Sequence, residues 1–381
     1  MKGIELCDIY LCTQCRSCEA ICPQKCISFI VGNDGFYTPS IDEPSCIRCG
    51  LCMKSCHQLN TGLTKHYPLN CFAAWSKDDE IRGTSSSGGV FSEIARCIFE
   101  QQGVVVGSVM DDSLNVHHAF AESMEQLIPM RGSKYVQSNM DGVYVRVKEY
   151  LQLGRLTLFT GTPCQVAGLY SFLKKDYDNL LTCDLVCHGV PSQKAFDTYC
   201  NKVGLIHGKT EEVRFRYTEG WGLQMAKRCY GDDKWKNISP KKSYYLRAFT
   251  KGLMFNEACY SCHYATPERV GDFSLADYWG IGSESPFMYP TDKGISLLLV
   301  NTQKAEVLIT ECETLFIEER PLSEAIRGNR NLSVCSVRPE GRDTFYRDAE
   351  TMPTDLLMKK YALSPSFKDY LRPLKRKLMS R

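Results

Sequence analysis

Eight cysteines within the first 56 residues repeat one spacing twice, and no other feature restricts what this chain can fold into as severely. Cys12, Cys15, Cys18 and Cys22 form C-x-x-C-x-x-C-x-x-x-C, and Cys46, Cys49, Cys52 and Cys56 form it again. Three closely spaced thiolates grip three corners of an iron–sulfur cube, and a more remote fourth completes it. Zinc sites use paired C-x-x-C knuckles instead of a triplet with an outlier. A disulfide framework gives no reason for eight sulfurs to fall at a duplicated spacing.

In two-cluster ferredoxins the fourth cysteine of each run serves the other cluster. The expected pairing is therefore Cys12, Cys15 and Cys18 with Cys56, and Cys46, Cys49 and Cys52 with Cys22. Pro23 follows Cys22 as that pattern requires, but His57 stands where the second proline would be. The proline shapes a turn and carries no ligand, so the second cluster is retained, with a potential tuned by different hydrogen bonding around its sulfurs.

The rest of the composition narrows the class. With 46 basic against 44 acidic residues in 381, the chain carries no electrostatic footprint for nucleic acid. The first eleven residues contain Lys2, Glu5 and Asp8 and no apolar run, so no signal peptide is expected, and no stretch reaches the length of a transmembrane segment. Thiolate clusters need reducing, oxygen-poor surroundings, so the 21 cysteines point to a cytoplasmic protein of an anaerobic cell.

The fold class expected is α+β: a dicluster ferredoxin-like domain over residues 1–65, then a mixed α/β body. The body divides into 66–152 and 153–330, with a polar, basic, partly helical tail over 331–381 that reads as a solvated face. Within the first domain, residues 27–31 and 36–41 flank Gly32-Asn33-Asp34-Gly35 as a hairpin. The body alternates strands near 72–75, 103–107, 156–160 and 180–187 with helices over 90–101, 165–173 and 193–203, the last capped by Ser192. Further strands are expected at 213–217, 274–276 and 296–300. The alternation breaks down after Gly208, which predicts a mixed sheet.

Six segments of the body, in order, are Ser85-Ser-Ser-Gly-Gly89, Arg131-Gly-Ser-Lys-Tyr-Val-Gln-Ser138, Gly161-Thr-Pro-Cys-Gln165, Asp184-Leu-Val-Cys-His-Gly189, Cys259-Tyr-Ser-Cys262 and Asp277-Tyr-Trp-Gly280. Together they resemble the family of coenzyme F-420 hydrogenase and dehydrogenase beta subunits. That resemblance implies a non-covalent FAD, at least one 4Fe-4S cluster and hydride chemistry at the flavin. In that setting Ser86, Ser87, Gly88 and Gly89 precede a helix whose free N–H groups suit a pyrophosphate, although an ordinary helix start explains them equally well alone. Ser133, Lys134 and Tyr135 are candidate flavin contacts, with Lys134 a cation for the reduced ring and Tyr135 a stacking partner. Gly161, Thr162 and Pro163 form a strand-to-helix turn of the kind that receives cofactors. His188 is a candidate proton donor alongside Lys134, against an equal chance of a structural histidine. No G-x-G-x-x-G follows a strand, so a nicotinamide unit is not expected.

Cys164, Cys187, Cys259 and Cys262 lie inside these motifs and form a candidate third 4Fe-4S site, with Cys183 as a substitute ligand. The alternatives are buried reduced thiols or zinc. Cys97, Cys200 and Cys312 read as helix-borne core thiols.

The function expected is an iron–sulfur flavoprotein oxidoreductase joining ferredoxin-type clusters to FAD and to a deazaflavin or another small organic substrate. Its partner would be a redox protein or a small hydride donor or acceptor. The alternatives are a ferredoxin-dependent reductase of a metabolite in surface-polysaccharide synthesis and an electron relay with no substrate site of its own.

Overall fold

The computed structural model describes residues 6–205, 208–217 and 224–365. The expected hairpin forms from β1 (Ile27–Val31) and β2 (Tyr37–Ile41), antiparallel with Ile27 opposite Ile41. On either side of it, the two cysteine runs share one backbone. Gln14 and Arg16 in the first run, and Arg48 and Gly50 at the equivalent places in the second, all take positive φ. Three of the four are not glycine, so the left-handed turns are held by the surrounding loop against their own preference. Turns of this kind aim successive N–H groups inward, which suits an anionic cluster.

The body is organised by one eight-stranded sheet. Its strands are β3 (Asn70–Ser76), β4 (Val104–Met110), β5 (Val116–Ala121), β6 (Thr157–Gly161) and β7 (Leu180–Leu185). A small separate sheet follows, with β8 (Thr210–Arg214), β9 (Ala226–Cys229) and β10 (Lys236–Asn237), and then β11 (Phe273–Asp277), β12 (Ser296–Val300) and β13 (Leu315–Glu319) return to the large sheet. Its order is β13-β3-β12-β11-β7-β6-β4-β5. Strands β4, β6, β7 and β11 are mutually parallel, and the flanking pairs are antiparallel. The sheet is mixed, as expected, because β11 and β12 return as a hairpin pair without a crossover helix. Every residue of β12 is buried, since helices and loops cover both of its faces.

The carboxyl ends of β6, β7 and β11 fall on one edge of the sheet. Three of the six motif segments therefore begin there, at Gly161, at Leu185 and at Asp277. The helix Val90–Glu100 packs Val90, Ile94, Ala95 and Ile98 against one face. The helix after β6 starts at Pro163, two residues before the expected Gln165. Proline is tolerated at a first helical position, and Thr162 with Gln165 closes a reciprocal cap. The Ser192 cap is as expected: its hydroxyl accepts from Ala195 N–H at the start of Gln193–Val203.

Three readings need correction. The segment beyond residue 330 is not only a solvated face. Helices Arg342–Thr351 and Thr354–Lys360 bury Phe345, Tyr346, Ala349, Leu357 and Met358 in the same apolar cluster as Phe36 of the ferredoxin-like domain and Phe196 of the body. The basic residues Lys375, Arg376 and Lys377 lie outside the described residues. Cys97 and Cys312, expected as separate core thiols, are joined as a disulfide, and Cys312 falls just past its helix. Cys200 is a free buried thiol, as expected. Elements with little sequence signal also appear: β5, with its His117-His118 pair, and the helix Val143–Gln152, whose Val-Tyr-Val-Arg-Val reads as strand. Tertiary packing outweighs local preference there.

The ferredoxin-like domain is fastened to the body through its hairpin turn and its first cysteine loop. Arg342 Nη2 donates to Asp34 Oδ2 at 2.9 Å, and Ser192 Oγ donates to the Asp34 carbonyl at 2.6 Å. Gln137 Nε2 donates to the Thr13 carbonyl at 3.0 Å, and Arg16 pairs with Asp141 at 3.2 Å. Gly35 is required where this turn touches the body. A Cβ there would overlap Lys194 Cβ at 2.2 Å, and its φ is +78°. Among the described residues no helix is long and apolar enough to cross a membrane.

Candidate cluster and cofactor sites

The crossed pairing of the eight thiols is reproduced in space. Cys12, Cys15, Cys18 and Cys56 line one small cavity, and Cys22, Cys46, Cys49 and Cys52 line another. Each cavity also holds a fifth cysteine that spacing alone does not single out. Cys7 lies beside Cys56, and Cys26 Sγ is 3.5 Å from Cys22 Sγ. Around the first cavity, burial pushes Cys12 up to about 11 and Cys18 to about 12. Thiols in such a place become thiolates only when a metal group supplies the missing positive charge.

Cys164, Cys187, Cys259 and Cys262 also come together. Cys164 sits in the first turn of the Pro163–Leu173 helix, Cys187 just past β7, and Cys259 and Cys262 in and after a short 3-10 turn. Burial raises all four, Cys164 and Cys187 to about 12, and the charges of their companions raise them further. Tyr264 N–H points at Cys262 Sγ from 3.4 Å, the kind of contact that stabilises a ligating thiolate. Cys183 is not the fifth thiol. It is buried on β7 next to Asp184, whereas Cys335 is the thiol whose charge acts on Cys262. Among the described residues no three His, Cys, Asp or Glu side chains are placed to hold a metal ion. A cube spreads its four thiolates over four separate irons, so its ligands do not converge on one point as they must for a single zinc.

A cavity of about 310 Å³ opens beside Cys164 and Cys187, within the usual size range of small-molecule sites. Its wall draws on Ser85 to Gly89, Arg131 to Ser138, Gly161 to Gln165, Leu185 to Gly189, and Asp277 with Trp279. Five of the six motif segments thus border one space. Three buried polar atoms belonging to lining residues have no hydrogen-bond partner among the described residues: Arg131 Nε, Gln137 Oε1 and Asp277 Oδ1. Such atoms are costly unless a polar ligand meets them. The wall therefore fits a group with both donors and acceptors, as a flavin has.

The individual candidates divide. Ser86 Oγ accepts from Ser133 N–H at 2.7 Å, which ties two motif segments together. Ser87 Oγ donates to the Ile295 carbonyl, so its hydroxyl is already engaged. Gly89 caps the Val90–Glu100 helix in a left-handed conformation, with no side-chain cap on the helix N–H groups. Gly88 is the exception: it is absent from the cavity wall, and a Cβ there would lie 2.3 Å from the Ala74 carbonyl. Its small size serves contact with β3 and not the approach of a phosphate.

Lys134 donates to the Pro129 and Arg131 carbonyls at 2.7 and 3.2 Å. Burial of its ammonium lowers its pKa to about 7, even though part of the side chain remains exposed. The Tyr135 ring packs 4.5 Å from Phe249 and also borders the cavity. Gly161 and Thr162 line the space, with the Thr162 hydroxyl taken up in capping, while Pro163 is buried away from it. His188 lies on the wall near Phe249, and burial lowers its pKa while Asp277 opposes the shift.

Several lining residues carried no role in the sequence reading. Arg131, Gln137 and Asp277 stand inside quoted motifs, and their polarity in loop positions is the signal that could have marked them. Arg216, whose Nη1 meets Asp277 Oδ2 at 2.5 Å, had none. Neither had His118, buried with Nε2 at 2.9 Å from the Thr160 carbonyl and Nδ1 at 2.7 Å from Ser138 Oγ. The carbonyl can only accept, so Nε2 carries the proton and Nδ1 accepts from Ser138.

Burial lowers the His118 pKa from 6.5 to about 4. The unfolded chain then binds the proton more readily, so this contribution is complete above pH 6.5 and is lost as pH falls towards 4. The loss should approach about 3 kcal/mol over that interval. Urea midpoints measured anaerobically across pH 4 to 7 should fall more steeply for wild type than for His118→Gln. Parallel curves would rule this out.

The comparisons with known proteins run along the same order. Residues 71–144 match the N-terminal family model of the coenzyme F420 hydrogenase/dehydrogenase beta subunit, and residues 154–325 match the model of its carboxyl-terminal part. Residues 11–59 match the 4Fe-4S dicluster domain. Over 167 residues the chain is 27% identical to the F-type component of the F(420)H(2) dehydrogenase of Methanosarcina mazei, covering 41% of this chain and 46% of that protein. The match thus spans about half the length of that curated relative. A chain of the xenon-derivatised F420-reducing nickel–iron hydrogenase complex from Methanosarcina barkeri superposes with a TM-score of 0.47 at 17% identity, covering 78% of this chain and 93% of that one.

Proposed function

Because the chain belongs to the family of coenzyme F-420 hydrogenase/dehydrogenase beta subunits and carries a dicluster domain ahead of the family's two parts, we propose that it is an iron–sulfur flavoprotein oxidoreductase. In this reading it passes electrons between two ferredoxin-type 4Fe-4S clusters, a third cluster and a non-covalent FAD. The observation that carries the reading is the single cavity bordered by five motif segments, with Cys164 and Cys187 in its wall. A flavin bound there would supply the exchange between single-electron and hydride chemistry.

The residues of the chain would do the following. Cys12, Cys15, Cys18 and Cys56 hold one cluster, Cys46, Cys49, Cys52 and Cys22 a second, and Cys164, Cys187, Cys259 and Cys262 a third. The uncapped N–H groups after Gly89 face the anionic part of the cofactor. Arg131, Gln137 and Asp277 meet its polar edges, and the Ser86–Ser133 bond keeps two walls in register. His188, with an imidazole beside the cavity mouth, exchanges the proton that accompanies hydride transfer. The substrate is a deazaflavin such as coenzyme F-420 or another small organic hydride carrier. The pocket favours this over a simple electron relay, which needs no such space. A redox protein exchanging electrons at the exposed Cys49 side of the second cluster is the expected partner.

The test is anaerobic reconstitution of the full chain with iron, sulfide and FAD. About one acid-releasable FAD per chain and oxidation of reduced deazaflavin are expected. Protein that binds its iron but takes up no flavin would overturn the proposal.

A further inference from the structure

The ferredoxin-like motif departs from its pattern at one place, His57, and the structure gives that residue partners a proline could not have. His57 is buried, 2% exposed, directly after the ligand Cys56. One ring nitrogen, Nε2, is 2.9 Å from Thr13 Oγ1, the residue after Cys12. The other, Nδ1, is 2.7 Å from the Tyr264 hydroxyl, which belongs to the body. The two rings lie 5.6 Å apart. Tyr264 in turn directs its own N–H at Cys262 Sγ, 3.4 Å away. A connected chain of covalent and hydrogen bonds thus runs Cys56–His57···Tyr264···Cys262. It starts at the first ferredoxin-type site and ends at the third.

The surroundings place the two sites side by side. Cys15 packs against the helix that carries Cys164: a Cβ on Gly168 would lie 2.9 Å from Cys15 Sγ and 2.7 Å from Cys15 Cβ. Gly168 is one helical turn beyond Cys164, so the glycine lets the first cluster loop settle onto the helix that holds the third. The charges of Cys15, Cys56, Cys164 and Cys262 all act on Tyr264, which puts its ring between the two thiol sets. The second site has no comparable link. Its cavity is lined only by residues 22 to 52, and Cys49 is exposed.

We infer that the His57–Tyr264 pair is a positioning and coupling element that sets the order of electron flow. The cluster of Cys22, Cys46, Cys49 and Cys52 exchanges electrons with the outside, and that of Cys12, Cys15, Cys18 and Cys56 connects to the third site through this pair. In each transfer one cluster loses one electron and the other gains it, with no bond made or broken. The inference rests on the cluster assignments proposed above. The proline of the usual motif is absent because it has no hydrogen-bonding side chain to reach the body.

Tyr264→Phe removes only the hydroxyl, and His57→Pro restores the ferredoxin residue. Full-length, anaerobically reconstituted protein is examined by iron and sulfide analysis, by EPR redox titration, and by rapid-freeze EPR after reduction with a one-electron photoreductant. For Tyr264→Phe, iron and flavin content should match wild type. Electron passage from the first cluster to the third should slow about tenfold, the kinetic equivalent of losing one buried hydrogen bond. The reduced first cluster should accumulate transiently, and its potential should shift. His57→Pro combined with Tyr264→Phe should be no slower than His57→Pro alone, because both changes break the same link. Wild-type transfer rates in Tyr264→Phe protein that carries all three clusters would overturn this inference. Absence of a third cluster in wild type would instead overturn the cluster assignment itself.

Discussion

Replacing Asp184 with alanine is expected to destabilise the body by about 3–5 kcal/mol, because it leaves the Arg269 guanidinium buried without its counter-charge. The pair is shut away from water, with side chains 0% and 1% exposed, and Arg269 Nη2 meets Asp184 Oδ1 at 2.6 Å. The other guanidinium hydrogens go to the Tyr264, Thr266 and Leu185 carbonyls and to Ser274 Oγ. Asp184 Oδ2 accepts from Gly271 N–H. One ion pair therefore fastens the loop after Cys262 to the strand that leads to Cys187. Anaerobic urea unfolding should show a lower midpoint with an unchanged slope. The double change Asp184→Leu with Arg269→Met should recover much of the loss, since removing both charges also removes the unpaired one. A cost below about 1 kcal/mol for the single change would contradict the burial argument.

The double substitution Cys259→Ala with Cys262→Ala should lower the iron content of anaerobically reconstituted full-length protein from about twelve atoms per chain to about eight, one cube of four being lost. Acid-labile sulfide should fall in parallel. Both cysteines sit beside Cys164 and Cys187, and two of four thiolates are too few to retain a cube. The eight thiols of residues 12–56 line separate cavities, so their clusters should survive with their EPR signals intact. Flavin uptake should persist, because the cavity wall includes Cys164 and Cys187 but neither changed residue. An unchanged iron count would mean that the four body thiols are core residues and hold no cluster.

The cluster-binding domain was legible in detail, because a cubane imposes its own spacing on sequence. Ligands within one run must follow at fixed intervals, and the crossed pairing of Cys22 and Cys56 follows from having two runs. The six body motifs were legible as an ordered set, yet their individual roles were not. Gly88 shows why. A glycine before a helix is equally well explained by a phosphate or by a close strand, and only the Ala74 carbonyl 2.3 Å from its would-be Cβ decides between them. Cys183 and Cys335 show the same limit for the thiol set: order along the chain favoured the first, and proximity to Cys262 belongs to the second. Cys97 and Cys312, 215 residues apart, could not be paired from spacing.

By itself the sequence determined the local geometry of this protein: the thiol runs, the hairpin between them, the Ser192 cap and the strands whose apolar residues run together. These depend on neighbours a few residues away, where backbone periodicity and ligand spacing are written directly into residue order. The tertiary structure alone decided which distant groups meet. It brought the ends of β6, β7 and β11 to one edge, folded the segment beyond residue 330 back onto Phe36, paired Arg216 with Asp277, and set His57 against Tyr264. Such meetings join residues as far apart in the chain as Asp34 and Arg342. They follow from how whole faces bury together, which no short stretch of sequence encodes.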